Sequence, residues 1–287
     1  MRISIFKVGF RTLLNGLLCF SFSSYADAAL NKLCVEQMNK MAGPAPTADD
    51  IQNACSQVKQ LDTCVSTKGI PIYHYDRTGT NKNPKRILAK ALIHGDEHLS
   101  GSVARAWLAR LAKIDPRNTW RVIPVVNPDG WDLKTRTNVN GIDINRNFPT
   151  KDWDELADSY WHKKMKSDPR RFPGKVAGSE SETKCLMAQF EDFKPDFIIS
   201  IHTPLGVLDL DGPKVKNPPK FSPLPWTSLG NFPGSLGRYM WMDRKIPVLT
   251  IELKSNDGAK RLEDFDRLQD ISGTVAIQAD QLSKTTK

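Results

Sequence analysis

Arg86-Ile-Leu-Ala-Lys-Ala-Leu-Ile-His-Gly-Asp-Glu-His98 joins a short apolar-rich run directly to a cluster of charged and imidazole side chains. The run has the length of a strand. It is followed over residues 99–113 by an amphipathic pattern in which Val103, Ala106, Trp107 and Leu111 share one helical face. A strand feeding a helix through a polar junction is the unit of a parallel sheet, and functional groups in open α/β sheets gather where the strands end.

The same alternation recurs downstream. Arg121-Val-Ile-Pro-Val-Val126 reads as a second strand, closed by the turn signal Asn127-Pro-Asp-Gly130. Residues 179–193 read as a helix that opens with Ser179 and Glu182, a capping-box spacing. Asp196-Phe-Ile-Ile-Ser-Ile201 and Ile246-Pro-Val-Leu-Thr-Ile-Glu-Leu253 read as buried strands, and residues 264–282 as a closing helix. Residues 205–237 are rich in Pro and Gly and read as one long loop. The pattern predicts a three-layer α/β/α sandwich around a mixed, largely parallel sheet.

Composition agrees with an ordinary globular chain: 287 residues, 39% hydrophobic, 25% charged, formal charge +9. Disordered, collagen-like and coiled-coil classes are excluded. Residues 1–28 read as a cleaved signal peptide. Arg2, Lys7 and Arg11 supply a positive start, residues 12–22 a short apolar stretch, and Ala26-Asp-Ala28 a small-x-small site. Removing their three basic residues and one Asp leaves +7 on the mature chain. That balance suits acidic polymers. No dense basic run with interleaved aromatics points to nucleic acid, and no later run is long enough to span a membrane.

An exported chain meets an oxidising compartment, periplasmic or extracellular, so its cysteines can pair. Residues 29–67 read as a helical, cysteine-containing extension ahead of the main domain at 68–287. A helix over 31–41, the break Gly43-Pro-Ala-Pro46, and a helix from an N-cap at Thr47 to about Leu61 form a small hairpin. On one helix, Cys55 and Cys64 would lie about 13 Å apart at a rise of about 1.5 Å per residue, too far to bridge. Cys34 is therefore expected to pair with Cys55 or Cys64, with the third cysteine free or joined to Cys185.

His94, Glu97 three residues on, and His202 at the end of a later strand offer two nitrogens and a carboxylate, a three-ligand zinc set with one position open. His98 is an alternative ligand. Glu252 sits inside an otherwise apolar strand, where a carboxylate is costly unless paired, hydrated or facing a metal site. It is the candidate general base. Arg136 and Arg146, ten residues apart, suit two anion tasks: polarising a developing oxyanion and gripping a carboxylate.

These residues occur in the order found in zinc carboxypeptidases of the carboxypeptidase A type, which the chain resembles over roughly residues 70–284. Within that family, His94-Gly-Asp-Glu97, Arg136-Thr-Asn138, Asn145-Arg-Asn-Phe-Pro149, Pro233-Gly-Ser-Leu-Gly237 and the segment from Asp243 to Leu253 look most like murein peptide amidases. The resemblance implies one Zn2+ per chain on His94, Glu97 and His202, a zinc-activated water with Glu252 as base then acid, and Arg136 polarising the scissile carbonyl. It implies that Asn145 and Arg146 hold the substrate carboxylate and that Gly234, Ser235 and Arg238 lie along the pocket. The implied substrate is a cell-wall peptide cut between γ-D-glutamate and meso-diaminopimelate. A general metallocarboxypeptidase, a deacylase on the same fold, and a non-catalytic module binding cell-wall peptide are the alternatives. The mobile-loop tyrosine of carboxypeptidase A has no clear counterpart, and Tyr239 is not assigned that role.

Overall fold

The computed structural model describes residues 14–254 and 261–285. In chain order the principal elements are α1 (Leu14–Lys40), α2 (Ala48–Cys55), β1 (Lys59–Val65), β2 (Pro71–Arg77), β3 (Arg86–Lys90), α3 (His98–Leu111), β4 (Thr119–Ile123) and α4 (Pro128–Leu133). They continue with α5 (Trp153–Lys163), α6 (Ser181–Phe193), β5 (Phe197–His202), β6 (Val207–Asp211), β7 (Val248–Glu252) and α7 (Leu262–Thr285).

The seven strands form one sheet in the order β1-β2-β4-β3-β5-β7-β6. The central four, β4, β3, β5 and β7, are parallel, and β1, β2 and β6 run antiparallel at the two sides. Alternate side chains leave opposite faces of each strand, so every central strand feeds two cores. Ile87, Ala89, Ile199 and Leu249 pack with Trp107 and Leu111 of α3 and Phe265 and Leu268 of α7. Leu88, Ile198 and Val248 pack on the other side with Leu186, Phe190 and Phe193 of α6. These two layers around a mixed sheet are the three-layer sandwich that the strand–helix alternation predicts.

Four local expectations are corrected. The helix from Thr47 ends at Cys55, and residues 59–65 are strand. The 29–67 extension therefore supplies the sheet's outer strand, because Lys59 and Gln60 pair with His74 and Tyr73 of β2. The supposed loop at 205–237 contains β6, which pairs antiparallel with β7 from Val207 opposite Glu252 to Asp211 opposite Val248. Asn127 does not simply turn the chain but caps the short helix α4, accepting from the Gly130 amide at 2.9 Å with Pro128 in the first turn. The capping box at Ser179 is not formed. Glu182 instead accepts from the Thr67 amide and Asn138, drawn into a buried polar cluster.

Disulfides join Cys34 to Cys55 and Cys64 to Cys185. The first closes α1 on α2, and the second ties β1 to α6. Arg105 of α3 holds the same extension by donating to the carbonyls of Met38, Met41, Ala42, Gly43 and Pro44. Much of the leader reading falls on residues 1–13, outside the described residues, while residues 14–28 continue α1. Among the described residues no helix is long and apolar enough to cross a membrane.

Cys64 and Cys185 are 121 residues apart, so their bond removes a large loop entropy from the unfolded chain. Replacing both by Ser should lower unfolding stability by about 2–5 kcal/mol, read from denaturant titration under non-reducing conditions. An unchanged midpoint would show that the β1–α6 contact stands without the bond.

Candidate active site

Three parallel strands deliver the chemistry to one edge of the sheet. β3 is followed after three residues by His94, β5 ends on His202 and β7 ends on Glu252. His202 and Glu252 are direct register partners. Glu97 precedes the first residue of α3, so the tight passage from β3 into α3 sets its position. Gly95 makes that passage possible: a Cβ there would overlap the backbone of Gly130 and Trp131.

His94, Glu97 and His202 present donor atoms that all lie within 4.8 Å of one another, and all three are buried. Glu97 Oε1 is 2.8 Å from His94 Nδ1, and Oε2 is 2.9 Å from His202 Nδ1. Each imidazole is held from behind. His94 Nε2 donates to Asp143 at 3.1 Å, and His202 Nε2 lies 2.7 Å from Ser200 Oγ and 3.2 Å from Lys90 Nζ. Outer partners on Nε2 turn both Nδ1 atoms toward one point, the arrangement that orients metal-binding histidines. Two neutral nitrogens and a carboxylate fit zinc with an open position. His98 does not join them, since its Nδ1 accepts from Trp131 Nε1 at 3.1 Å.

The charge states suit this use. Burial pushes His202 down to about 3, with Lys90 adding to the effect, so its imidazole is neutral at neutral pH. Burial opposes ionisation of Glu97, but His94 and His202 outweigh it and hold the carboxyl well below its ordinary range. Glu252 is pushed up to about 7 by burial and by the charge of Glu97. A carboxylate titrating near neutrality is poised to take and return a proton.

Arg136 donates to Asp143 at 3.0 Å and lies 3.6 Å from Glu97. Burial works against its charge, and Asp143 and Glu97 more than compensate. Arg146 is 8% exposed, and its Nε is buried without a hydrogen-bond partner. Its NH1 donates to the Asn145 carbonyl at 2.7 Å, and its guanidinium lies over Phe232. Asn145 Oδ1 accepts from the Leu236 amide at 2.9 Å, which leaves the side-chain NH2 as the donor toward the cavity.

A cavity of about 300 Å³ joins these groups, lined by His94, Glu97, Arg136, Asn145, Arg146, His202 and Glu252 together with Ser235. Ser235 Oγ accepts from the amides of Phe232 and Arg238. Gly234 stands behind the wall with positive φ, where a Cβ would strike the Arg146 carbonyl. Arg238 pairs with Asp152 and is not among the cavity-lining residues. Tyr239 is buried and stacked on Phe148.

Sequence reasoning missed Lys90, Asp143 and Ser200 behind the ligands, and Asp209 and Asp211, which also line the cavity. Lys90 carries a readable signal: it is a lone cation in a strand bound for burial. Asp209 and Asp211 alternate with leucine in Leu208-Asp-Leu-Asp211, a strand pattern hidden by the surrounding prolines and glycines.

The zinc carboxypeptidase family model matches residues 47–208, and the chain belongs to that family. Murein peptide amidase A of Escherichia coli strain K12 is 33% identical over 146 residues, covering 50% of this chain and 59% of that protein. The match thus spans less than two thirds of that relative's length. Murein peptide amidase A of Vibrio campbellii is 31% identical over 199 residues, covering 66% of this chain and 76% of the relative. The crystal structure of murein-tripeptide amidase MpaA from Escherichia coli O157 matches with a TM-score of 0.54 at 26% identity, covering 74% of this chain and 90% of that one.

Gly95→Ala should cost about 1–3 kcal/mol or more through overpacking against Gly130 and Trp131. Thermal unfolding measures it. A wild-type melting temperature would mean that the β3–α3 passage relaxes without moving its neighbours.

Proposed function

We propose that the protein is an exported zinc metallopeptidase that hydrolyses a peptide bond in murein peptides, between γ-D-glutamate and meso-diaminopimelate. The observation that carries this reading is the meeting, in one cavity, of the His94–Glu97–His202 donor set, the Glu252 carboxylate and the Arg146 guanidinium. The similarity to murein peptide amidases supports the choice of substrate. Two disulfides suit an oxidising compartment.

One Zn2+ on His94, Glu97 and His202 supplies Lewis acidity and a more acidic water. The chain's own groups do the rest. Arg136 presents its guanidinium to the scissile carbonyl oxygen as negative charge develops there. Glu252 accepts the proton of the attacking water and returns it to the leaving amine. Arg146 and the Asn145 amide hold the carboxylate of the leaving residue, which fixes the bond beside Glu252. A binding module without turnover has no use for a base, so Glu252 favours the enzyme over a non-catalytic module.

Metal content and turnover separate the roles. His202→Ala should lose most zinc and all activity, whereas Glu252→Gln should keep zinc and lose on the order of 10²–10⁴ in rate. Full zinc in His202→Ala would move the third ligand elsewhere. Near-normal turnover in Glu252→Gln would make that residue structural.

A base must be ionised to accept a proton. With Glu252 near 7, kcat/KM should fall as pH drops through about 7 or, with a bound cation favouring the carboxylate, somewhat lower. The wild type should show this acid limb in a pH–rate profile. A flat profile from pH 5 to 8 would remove Glu252 from the chemistry.

L-Alanyl-γ-D-glutamyl-diaminopimelate should be cut with higher kcat/KM than peptides ending in Phe or Lys. A preference for ordinary C-terminal Phe or Lys would leave a general carboxypeptidase.

A further inference from the structure

The side of the cavity formed by β6 carries two carboxylates that the proposed chemistry does not use. Asp209 and Asp211 are two residues apart, so their side chains leave the same face of β6, while Leu208 and Leu210 turn toward the hydrophobic core. Asp209 is opposite Thr250 in the ladder, and the next pair along that face is Val207 and Glu252. The carboxylates therefore continue the sheet face that bears the base, on the side away from the parallel core.

Their placement is built rather than incidental. Asp209 is 7% exposed, and its Oδ2 accepts from the Leu229 amide at 3.1 Å. Asp211 Oδ1 accepts from Asn231 Nδ2 at 3.0 Å. Gly237 makes room for Asp211, because a Cβ there would overlap the Asp211 Oδ2 atom. Among the described residues no lysine, arginine or histidine forms an ion pair with either carboxylate. Holding two like charges side by side, one buried and one partly buried, without a cation is costly. Burial pushes Asp209 up to about 6, with the charge of Asp211 adding to it, and burial raises Asp211 as well.

A second, independent feature of the cavity also calls for a ligand. Arg146 is more than nine-tenths buried, lines the same space, has an unpartnered Nε and, among the described residues, forms no salt bridge with a carboxylate. Among the described residues, a buried guanidinium without a salt-bridge partner and a carboxylate pair, Asp209 buried and Asp211 partly so, without a cation share one cavity of about 300 Å³. The complementary ligand carries a carboxylate near the scissile bond and an ammonium farther along its side chain.

We infer that Asp209 and Asp211 are specificity-determining residues that bind a side-chain ammonium of the residue released by hydrolysis. This deepens the murein reading and rests on it for the identity of that residue: diaminopimelate has such an ammonium at its distal centre. Phenylalanine has none and leaves both carboxylates without a cationic partner. Arg238, tied to Asp152, is not needed for this recognition.

The test uses the zinc-loaded full-length enzyme and two pairs of substrates that differ in one amine. The first pair is L-alanyl-γ-D-glutamyl-diaminopimelate and the same peptide ending in 2-aminopimelate. The second is a peptide ending in lysine and the same peptide ending in norleucine. Wild-type kcat/KM should favour the amine-bearing member of each hydrolysed pair by about 10- to 100-fold, the usual weight of a hydrogen bond to a charged group. Asp209→Asn and Asp211→Asn should each erode that preference, mainly by slowing the amine-bearing member, with melting temperatures compared to confirm folding.

Equal rates within each hydrolysed pair in the wild type would overturn the inference without reference to any variant. So would variants that slow both members alike, or hydrolysis of neither pair. Turnover of the lysine pair alone, with the amine preferred and the preference lost in the variants, would uphold the ammonium site while rejecting the murein substrate.

Discussion

A single carboxylate with no exposure to solvent, Asp143, organises the reactive end of the molecule. One of its oxygens accepts from His94 Nε2 and the other from Arg136. The same side chain thus fixes which imidazole nitrogen faces Glu97 and where the neighbouring guanidinium points. Its Oδ1 also accepts from the Asn145 amide, so the short turn that carries Asn145 and Arg146 is held to the same anchor. The arginines around it keep it ionised despite complete burial. Ligand orientation, cation placement and carboxylate recognition are consequently not independent features, and a change at this position would be felt by all three.

The sheet supplies the other half of the geometry. Strand directions in the parallel centre place His202 and Glu252 at the same level on adjacent strands, with the His94 segment one strand further across. This is why the sequence already marked His94, His202 and Glu252 as residues at or just past strand ends. An apolar run that stops abruptly at a polar residue is a local signal, and the runs that close at Ile93, Ile201 and Ile251 all show it. The alternation of strands and helices was readable for the same reason, since both cores are fed by short continuous apolar runs.

What escaped the sequence has a physical cause in each case. β1 is an edge strand with exposed residues on both faces, so no apolar periodicity marks it, and only its pairing with β2 defines it. β6 lies among turn-forming residues and carries acids where an ordinary half-buried strand carries polar groups facing water; those acids face a cavity instead. Lys90 was hidden by its apolar neighbours, although its ammonium sits against His202 deep in the sheet. Long-range polar contacts such as Arg238 with Asp152 leave no trace in local spacing at all.

The order of the cysteine bonds bears on how the chain is made. The pairing is consecutive, Cys34 with Cys55 and then Cys64 with Cys185. During synthesis from the N-terminus, the first bond has both partners within 21 residues, whereas Cys64 waits for a partner 121 residues downstream. Throughout that interval Cys64 must remain a thiol, and rapid closure of the first pair removes the two nearest competitors for it. Local helix formation in α1 and α2 therefore acts as a protecting step for the later bond, and a chain slow to form that hairpin would require thiol–disulfide exchange to reach the same product.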